Sequence, residues 1–274
     1  MKLITALATP FKNGKIDLVS YQRLIEKQKG SADALLCTAT TGEAGLLSPK
    51  EKNLLISVAK TVSMPIWAGI SCGATNQAIR EAVDAKICGA DGLLITPPSF
   101  FKCTQKGFVR HVEKIVEATQ LPVMLYNAPS RCGYVLWENA VTALAKLGAC
   151  LKDAGTDVTY AKRISQIAPV FCGNEEKLHD FLTAGGISGV VSVVGNAFPK
   201  LTKQALQGQC NQKEVLTFQR LAQLAFLQLN PIPIKYLLYK LKVFDTFEVR
   251  LPLTVADVST QKQIDEFLQT IERD

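Results

Sequence analysis

The sequence predicts an α/β chain folded as a (β/α)8 TIM barrel with a C-terminal helical appendage. Three observations carry that expectation. Eight short apolar runs recur at intervals of about twenty to thirty residues. Amphipathic stretches with helical spacing lie between them. The chain has 274 residues, enough for one such barrel with a tail to spare. Strands that alternate with helices imply parallel pairing and right-handed crossovers. The alternative, an open doubly wound sheet, lacks its usual mark, a G-x-G-x-x-G following a strand. The expected division is a barrel over residues 1–208 and a helical region packed on it over 209–274.

The first run, 3–9, ends at Pro10 and the turn dipeptide Asn13-Gly14. With one Lys and no A-x-A-like cleavage site, it reads as a strand and turn rather than a signal peptide. The other runs are 34–38, 65–70, 92–96, 123–127, 149–153, 170–173 and 189–194. Each is continuously apolar rather than alternating, as befits strands buried on both faces. Ser48 and Pro49 open a helix as cap and first-turn residue. Further helices are expected over 74–87, 157–167 and 175–184. After the eighth unit, 213–228, 232–243 and 260–272 read as three extra helices.

Composition narrows the function. Hydrophobic residues make up 47% and charged residues 20%, which excludes a disordered chain. No run of 18 apolar residues is present, arguing against a transmembrane helix. Net charge is +7. Its Lys and Arg are dispersed, which argues against nucleic acid and leaves a modest attraction for acidic metabolites. The densest group, Lys235, Lys240 and Lys242, reads as the solvated face of an apolar helix. The eight cysteines form no C-x-x-C pair and are joined by only two histidines, so neither zinc spacing nor a disulfide framework is present. Cys37, Cys150 and Cys172 sit in apolar runs as small hydrophobes, pointing to a reducing cytoplasm.

Barrel enzymes carry their chemistry at the C-terminal ends of the strands. There stand Thr40, Thr41, Gly42 and Glu43 after the second strand, and Thr96 after the fourth. Tyr126 to Arg131 follow the fifth, Lys152-Asp153 close the sixth, Gly173 to Glu175 follow the seventh, and Ser192 belongs to the eighth. Lys152 interrupts an apolar strand, where lysine is rarely buried unpaired. Burial would lower its pKa and supply the free amine of a Schiff-base nucleophile. The other reading turns it outward to pair with Asp153. Tyr126 is either a proton relay for imine formation or a core tyrosine. Thr40 and Thr41 suit a small carboxylate, or merely cap a turn. Arg131 suits a second carboxylate, or is solvated surface. Cys132 beside it reads as an inert thiol.

In this order, these residues resemble the family of dihydrodipicolinate synthase and N-acetylneuraminate lyase. The resemblance runs from Ala8-Thr9-Pro10-Phe11 through Thr40-Thr41-Gly42-Glu43, Thr96-Pro97-Pro98, Tyr126 to Arg131, Leu151-Lys152-Asp153 and Gly186 to Val193. It ends at Asn230-Pro231-Ile232-Pro233-Ile234-Lys235. Arg131 and the Asn-Pro-Ile-Pro segment are similar to the synthase branch. The resemblance implies condensation of pyruvate with L-aspartate 4-semialdehyde. Lys152 would form the imine, Thr40 and Thr41 hold the pyruvate carboxylate, Tyr126 relay protons and Arg131 bind the aldehyde's carboxylate. Backbone groups of Gly173 and Val191 would flank the site. It also implies that no metal or organic cofactor is required, and a homotetramer built from tight dimers. Two other readings stay open: a pyruvate-dependent aldolase of 2-keto-3-deoxy sugar acids or sialic acid, and a non-catalytic keto-acid binder.

Two departures from the family pattern matter. Where the synthases carry T-P-P-Y-Y, this chain has Thr96-Pro97-Pro98-Ser99-Phe100. Phe100 thus replaces the tyrosine that ends the relay from Tyr126 through Thr40; Tyr134 is a candidate substitute. The positions aligned with the lysine-binding set of inhibited members are Ala44, Pro49, Lys52, Gly73, Gln77 and Ser99. Gln77 replaces the acid that would pair with lysine's ammonium, and Lys52 would repel it. Insensitivity to lysine is expected.

Overall fold

The computed structural model describes residues 1–98 and 101–272. Among them, eight parallel strands close into a barrel: β1 (Lys2–Ala6), β2 (Ala34–Cys37), β3 (Ile66–Ile70), β4 (Gly92–Ile95), β5 (Val123–Asn127), β6 (Cys150–Asp153), β7 (Val170–Cys172) and β8 (Ile187–Ser192). Closure comes from β1 pairing with both β8 and β2. Helices follow the strands around the outside, and the strand residues are almost all buried, which is why the runs are continuously apolar.

Two strands end two or more residues short of the sequence reading, for one physical reason. β1 stops at Ala6 rather than Thr9, and the Ala8 N–H is taken by the Asn196 side chain at 3.0 Å. β8 stops at Ser192 rather than Val194, because the Glu175 carboxylate accepts from Val193 N at 2.7 Å and Val194 N at 3.1 Å. Side chains distant in sequence capture backbone donors the ladder would otherwise use. Asn13-Gly14, both at positive φ, turn a short ribbon of Phe11–Lys12 and Lys15–Ile16.

Ser48 caps the helix Pro49–Ala59 in a capping box with Glu51. The C-terminal helices span Gln212–Ala225, Ile232–Lys240 and Val258–Glu272. All eight cysteines are free. Among the described residues, no helix is long and apolar enough to cross a membrane.

The C-terminal region reaches back to the N-terminal half. Arg250 donates to Glu51 at 2.5 Å, to Leu46 O at 3.0 Å and to Gly14 O at 3.0 Å. The Arg250 hydrogen bond holds the Glu51 carboxyl at about 2, below its ordinary 4.5. A depressed carboxyl contributes stability that is complete above about pH 4.5 and lost as pH falls toward 2, where the unfolded chain binds its proton first. Glu51→Gln is therefore expected to lower Tm by several degrees at pH 7, with the gap to the parent closing as pH approaches 2. Thermal scans across that range check it; a gap that stays constant contradicts it.

Candidate active site

The strands meet at the barrel mouth in a cavity of about 320 Å³. Its wall includes Thr40, Thr96, Tyr126, Arg131 and Asn230, with Leu46, Leu94, Leu229 and Leu253 as apolar lining.

β5 and β6 set the floor. Their register places Tyr126 opposite Lys152. Lys152 is 5% exposed, and its ammonium sits 4.3 Å from the centroid of the Tyr126 ring. The outward reading of Lys152 does not hold: Asp153, next along the strand, faces away. Asp153 Oδ1 accepts from Asn127 Nδ2 at 2.8 Å and Gly155 N at 3.0 Å, while Oδ2 has no partner among the described residues. Burial pushes the Asp153 carboxyl above its ordinary value. Strand alternation explains the split, since successive side chains take opposite faces. Lys152 does not itself line the cavity; Tyr126 links the two.

Gly173, just past β7, is required by close approach. A Cβ there would lie 2.8 Å from Lys152 Cε and 3.1 Å from Asp153 O. Gly69 does the same for the second strand's exit, where a Cβ would meet Thr38 O at 2.3 Å. Val191 is buried in β8 opposite Ile4 and is not part of the cavity wall.

The turn after β2 is held tightly. Thr38 and Glu43 take left-handed φ of 51° and 56°. Gly42 O accepts from Thr9 Oγ1 at 2.8 Å. Thr41 is buried, and its hydroxyl accepts from Asn230 Nδ2 at 3.0 Å. Thr40 lines the cavity, and no hydrogen bond joins it to Tyr126 among the described residues. Arg131 is exposed on the short helix Pro129–Cys132, and no carboxylate pairs with it among the described residues. Cys132 is buried in the same wall, and burial raises its thiol pKa, against a nucleophilic role. Tyr134 is buried against Phe108, ring centroids 6.2 Å apart, outside the cavity wall.

Lys235 corrects the sequence reading. It is fully buried, not solvated. Its ammonium meets Glu43 Oε1 at 2.5 Å and lies 4.3 Å from the Phe11 centroid. Burial lowers its pKa to about 8, against the pull of Glu43. Ile234, Tyr236, Leu237 and Leu238 around it are buried too. A helix apolar all round is a core helix, and its lone cation needs a buried partner. Lys240 is partly exposed and pairs with Asp265 at 3.0 Å; Lys242 is exposed. Glu175, noted in the sequence only as a strand-end residue with no role, is buried behind β8 and accepts from Ser192 Oγ at 2.5 Å. An acid flanking an apolar strand was its only signal.

Ser99 and Phe100 lie outside the described residues. Lys52 is paired with Glu81 at 2.5 Å, both largely buried, so its charge is neutralised rather than left to repel a cation. Among the described residues, no group of three or more His, Cys, Asp or Glu is placed to hold a metal ion.

Comparison with known proteins agrees with this geometry. The model of the Dihydrodipicolinate synthetase family matches residues 1–271. The 4-hydroxy-tetrahydrodipicolinate synthase of Rickettsia bellii (strain OSU 85-389) is 39% identical, covering 98% of this chain and 96% of its own. The crystal structure of the Thermotoga maritima dihydrodipicolinate synthase superposes with a TM-score of 0.91 at 30% identity, covering 98% of this chain and 97% of its own. A monomeric dihydrodipicolinate synthase variant superposes with a TM-score of 0.91 at 28% identity, covering 99% of this chain and 96% of its own. With one family matched over nearly its whole length, and a buried strand lysine at the mouth of the barrel, this chain belongs to the dihydrodipicolinate synthetase family.

Proposed function

We propose that this chain is a Schiff-base-forming lyase that condenses pyruvate with L-aspartate 4-semialdehyde to 4-hydroxy-tetrahydrodipicolinate, in lysine and diaminopimelate biosynthesis. The observation that carries the reading is Lys152, buried on β6 against Tyr126 and unpaired with Asp153. Its amine adds to the keto carbon of pyruvate, and the carbonyl oxygen leaves as water. Loss of a methyl proton from the iminium gives the enamine, whose carbon attacks the aldehyde. The amine of the second substrate then displaces Lys152 and closes the ring. Tyr126 stands where it relays the protons of these steps.

Thr40 and Thr41 hold the pyruvate carboxylate. Because Asn230 donates into the Thr41 oxygen, the Thr41 hydrogen is left to point at an anion. Arg131, with no carboxylate of the described chain beside it, takes the carboxylate of the second substrate. Gly173 and Val191 frame the amine with their backbone. The apolar wall of Leu46, Leu94, Leu229 and Leu253 suits a short aliphatic aldehyde better than the hydroxyl-rich chain of a sugar acid. A tetramer of two tight dimers in the cytoplasm completes the reading. Sedimentation measures the assembly, and a monomer at micromolar concentration would remove that part alone.

Incubation with pyruvate followed by borohydride reduction tests the reading. A mass adduct on Lys152 is expected, and its absence excludes both enzyme readings and leaves the keto-acid binder. Turnover of aspartate semialdehyde, rather than cleavage of 2-keto-3-deoxy sugar acids or sialic acid, is then expected.

Phe100 has a chemical consequence, since a phenyl ring carries no transferable proton. General acid–base assistance is worth about 10²–10⁴-fold. Phe100→Tyr is therefore expected to raise kcat by about tenfold or more; an unchanged or lower rate contradicts a weakened relay. Gln77 offers no charge to an ammonium, and Lys52 and Glu81 neutralise each other. Millimolar lysine is expected to leave the rate unchanged, and half-inhibition at submillimolar lysine refutes this.

A further inference from the structure

The turn that carries Thr40 and Thr41 is tied to the C-terminal region at two points two residues apart. Asn230 Nδ2 donates to the Thr41 hydroxyl at 3.0 Å. Five residues along the same segment, Lys235 meets Glu43 Oε1 at 2.5 Å, and Glu43 Oε2 accepts from Arg250 N at 3.1 Å. Both side chains of the Lys235–Glu43 pair are wholly buried. The Arg250 guanidinium, 4.4 Å from the Phe11 centroid, shares that ring with the Lys235 ammonium.

Stability alone gives no reason for this arrangement. A buried ion pair is often matched or bettered by apolar residues of the same volume, because two charges must be stripped of water. Nor does the backbone explain Glu43, since glycine suits its left-handed φ of 56° better. What the pair adds is direction: two desolvated charges and a main-chain donor fix the end of the turn in a way packing does not.

We infer that the buried Lys235–Glu43 pair, braced by Arg250, is a positioning device that aims the Thr40–Thr41 turn at the carboxylate of the keto acid. The inference rests on the reading that these threonines bind that carboxylate. Glu43 borders the cavity, but its carboxylate is committed, Oε1 to Lys235 and Oε2 to Arg250 N, and Lys235 is not part of the wall, so the pair acts through the turn.

The test uses full-length Lys235→Met/Glu43→Gln, which removes both charges and strands neither. Its expected KM for pyruvate rises about tenfold or more, with kcat and the KM for aspartate semialdehyde each within about twofold. A role confined to stability predicts a lower Tm with the pyruvate KM of the folded enzyme unchanged, and that outcome overturns the inference. If the double variant does not fold, Glu43→Asp, which keeps both charges and shortens the acid by one carbon, gives the same readout with the same outcomes. Thr41→Val separates the two claims. An unchanged pyruvate KM in Thr41→Val defeats the threonine reading and this inference with it. A raised KM there, beside an unchanged KM in the pair variants, defeats this inference alone.

Discussion

Lys152→Ala is expected to abolish turnover, by about 10⁴-fold or more, the scale typical of deleting a covalent nucleophile. The expectation follows from position as much as from chemistry. Lys152 is 5% exposed on β6, and its ammonium lies over the Tyr126 ring at 4.3 Å. The described cavity wall contains no lysine that could take over. Lys235 is buried and committed to Glu43. The variant should still fold, because alanine removes a buried charge and leaves Tyr126 and Phe171, its neighbours in register, in place. Two measurements check this together: circular dichroism for the fold, and intact mass after pyruvate and borohydride for the adduct. A folded variant that still gains the adduct, or keeps more than about a hundredth of parental kcat, places the imine elsewhere.

Gly173→Ala is expected to cost about 10²-fold in kcat/KM with only a modest loss of stability. The added methyl would stand 2.8 Å from Lys152 Cε, 3.0 Å from Lys152 Cγ and 3.1 Å from Asp153 O. The backbone oxygen belongs to the barrel ladder and accepts from Gly173 N at 2.7 Å, so it gives little. The flexible partner is the lysine side chain, so the clash is relieved by moving the proposed nucleophile. Displacing a reacting atom by about 1 Å is worth about 10²-fold. Gly173 has no positive φ, so the effect is steric contact and not backbone strain. Slower adduct formation at saturating pyruvate, with Tm lowered by only a few degrees, is the expected pair of results. A normal trapping rate contradicts the reading of Gly173.

The barrel was legible because every strand is sealed on both faces, and a doubly buried strand writes itself as a run of apolar residues. Its ends were not. β1 and β8 finish where Asn196 and Glu175 seize backbone donors, and no local window holds both partners of those bonds. Lys152 stood out as a cation in an apolar strand. Lys235 posed the same question in an apolar helix, where charge at helical spacing also fits a solvent-facing stripe. Only the burial of its neighbours on every side separates the two. Its partner Glu43 is 192 residues away. The Asn230 contact with Thr41 spans 189 residues and was equally invisible. Thr40, Tyr126 and Arg131 were predictable as strand-end residues because the barrel brings all strand ends to one face.

The ties between Phe11, Gly14, Glu43 and the segment 230–250 bear on when the enzyme becomes competent during synthesis. Gly14 N donates to Glu248 Oε1 at 2.6 Å, a contact spanning 234 residues. A ribosome that has delivered every barrel strand has still not delivered the residues that lock the turn after β2. If Lys152 and the Thr40–Thr41 turn act as proposed, the residues that tie that turn in place come from the last fifth of the polypeptide, after every barrel strand.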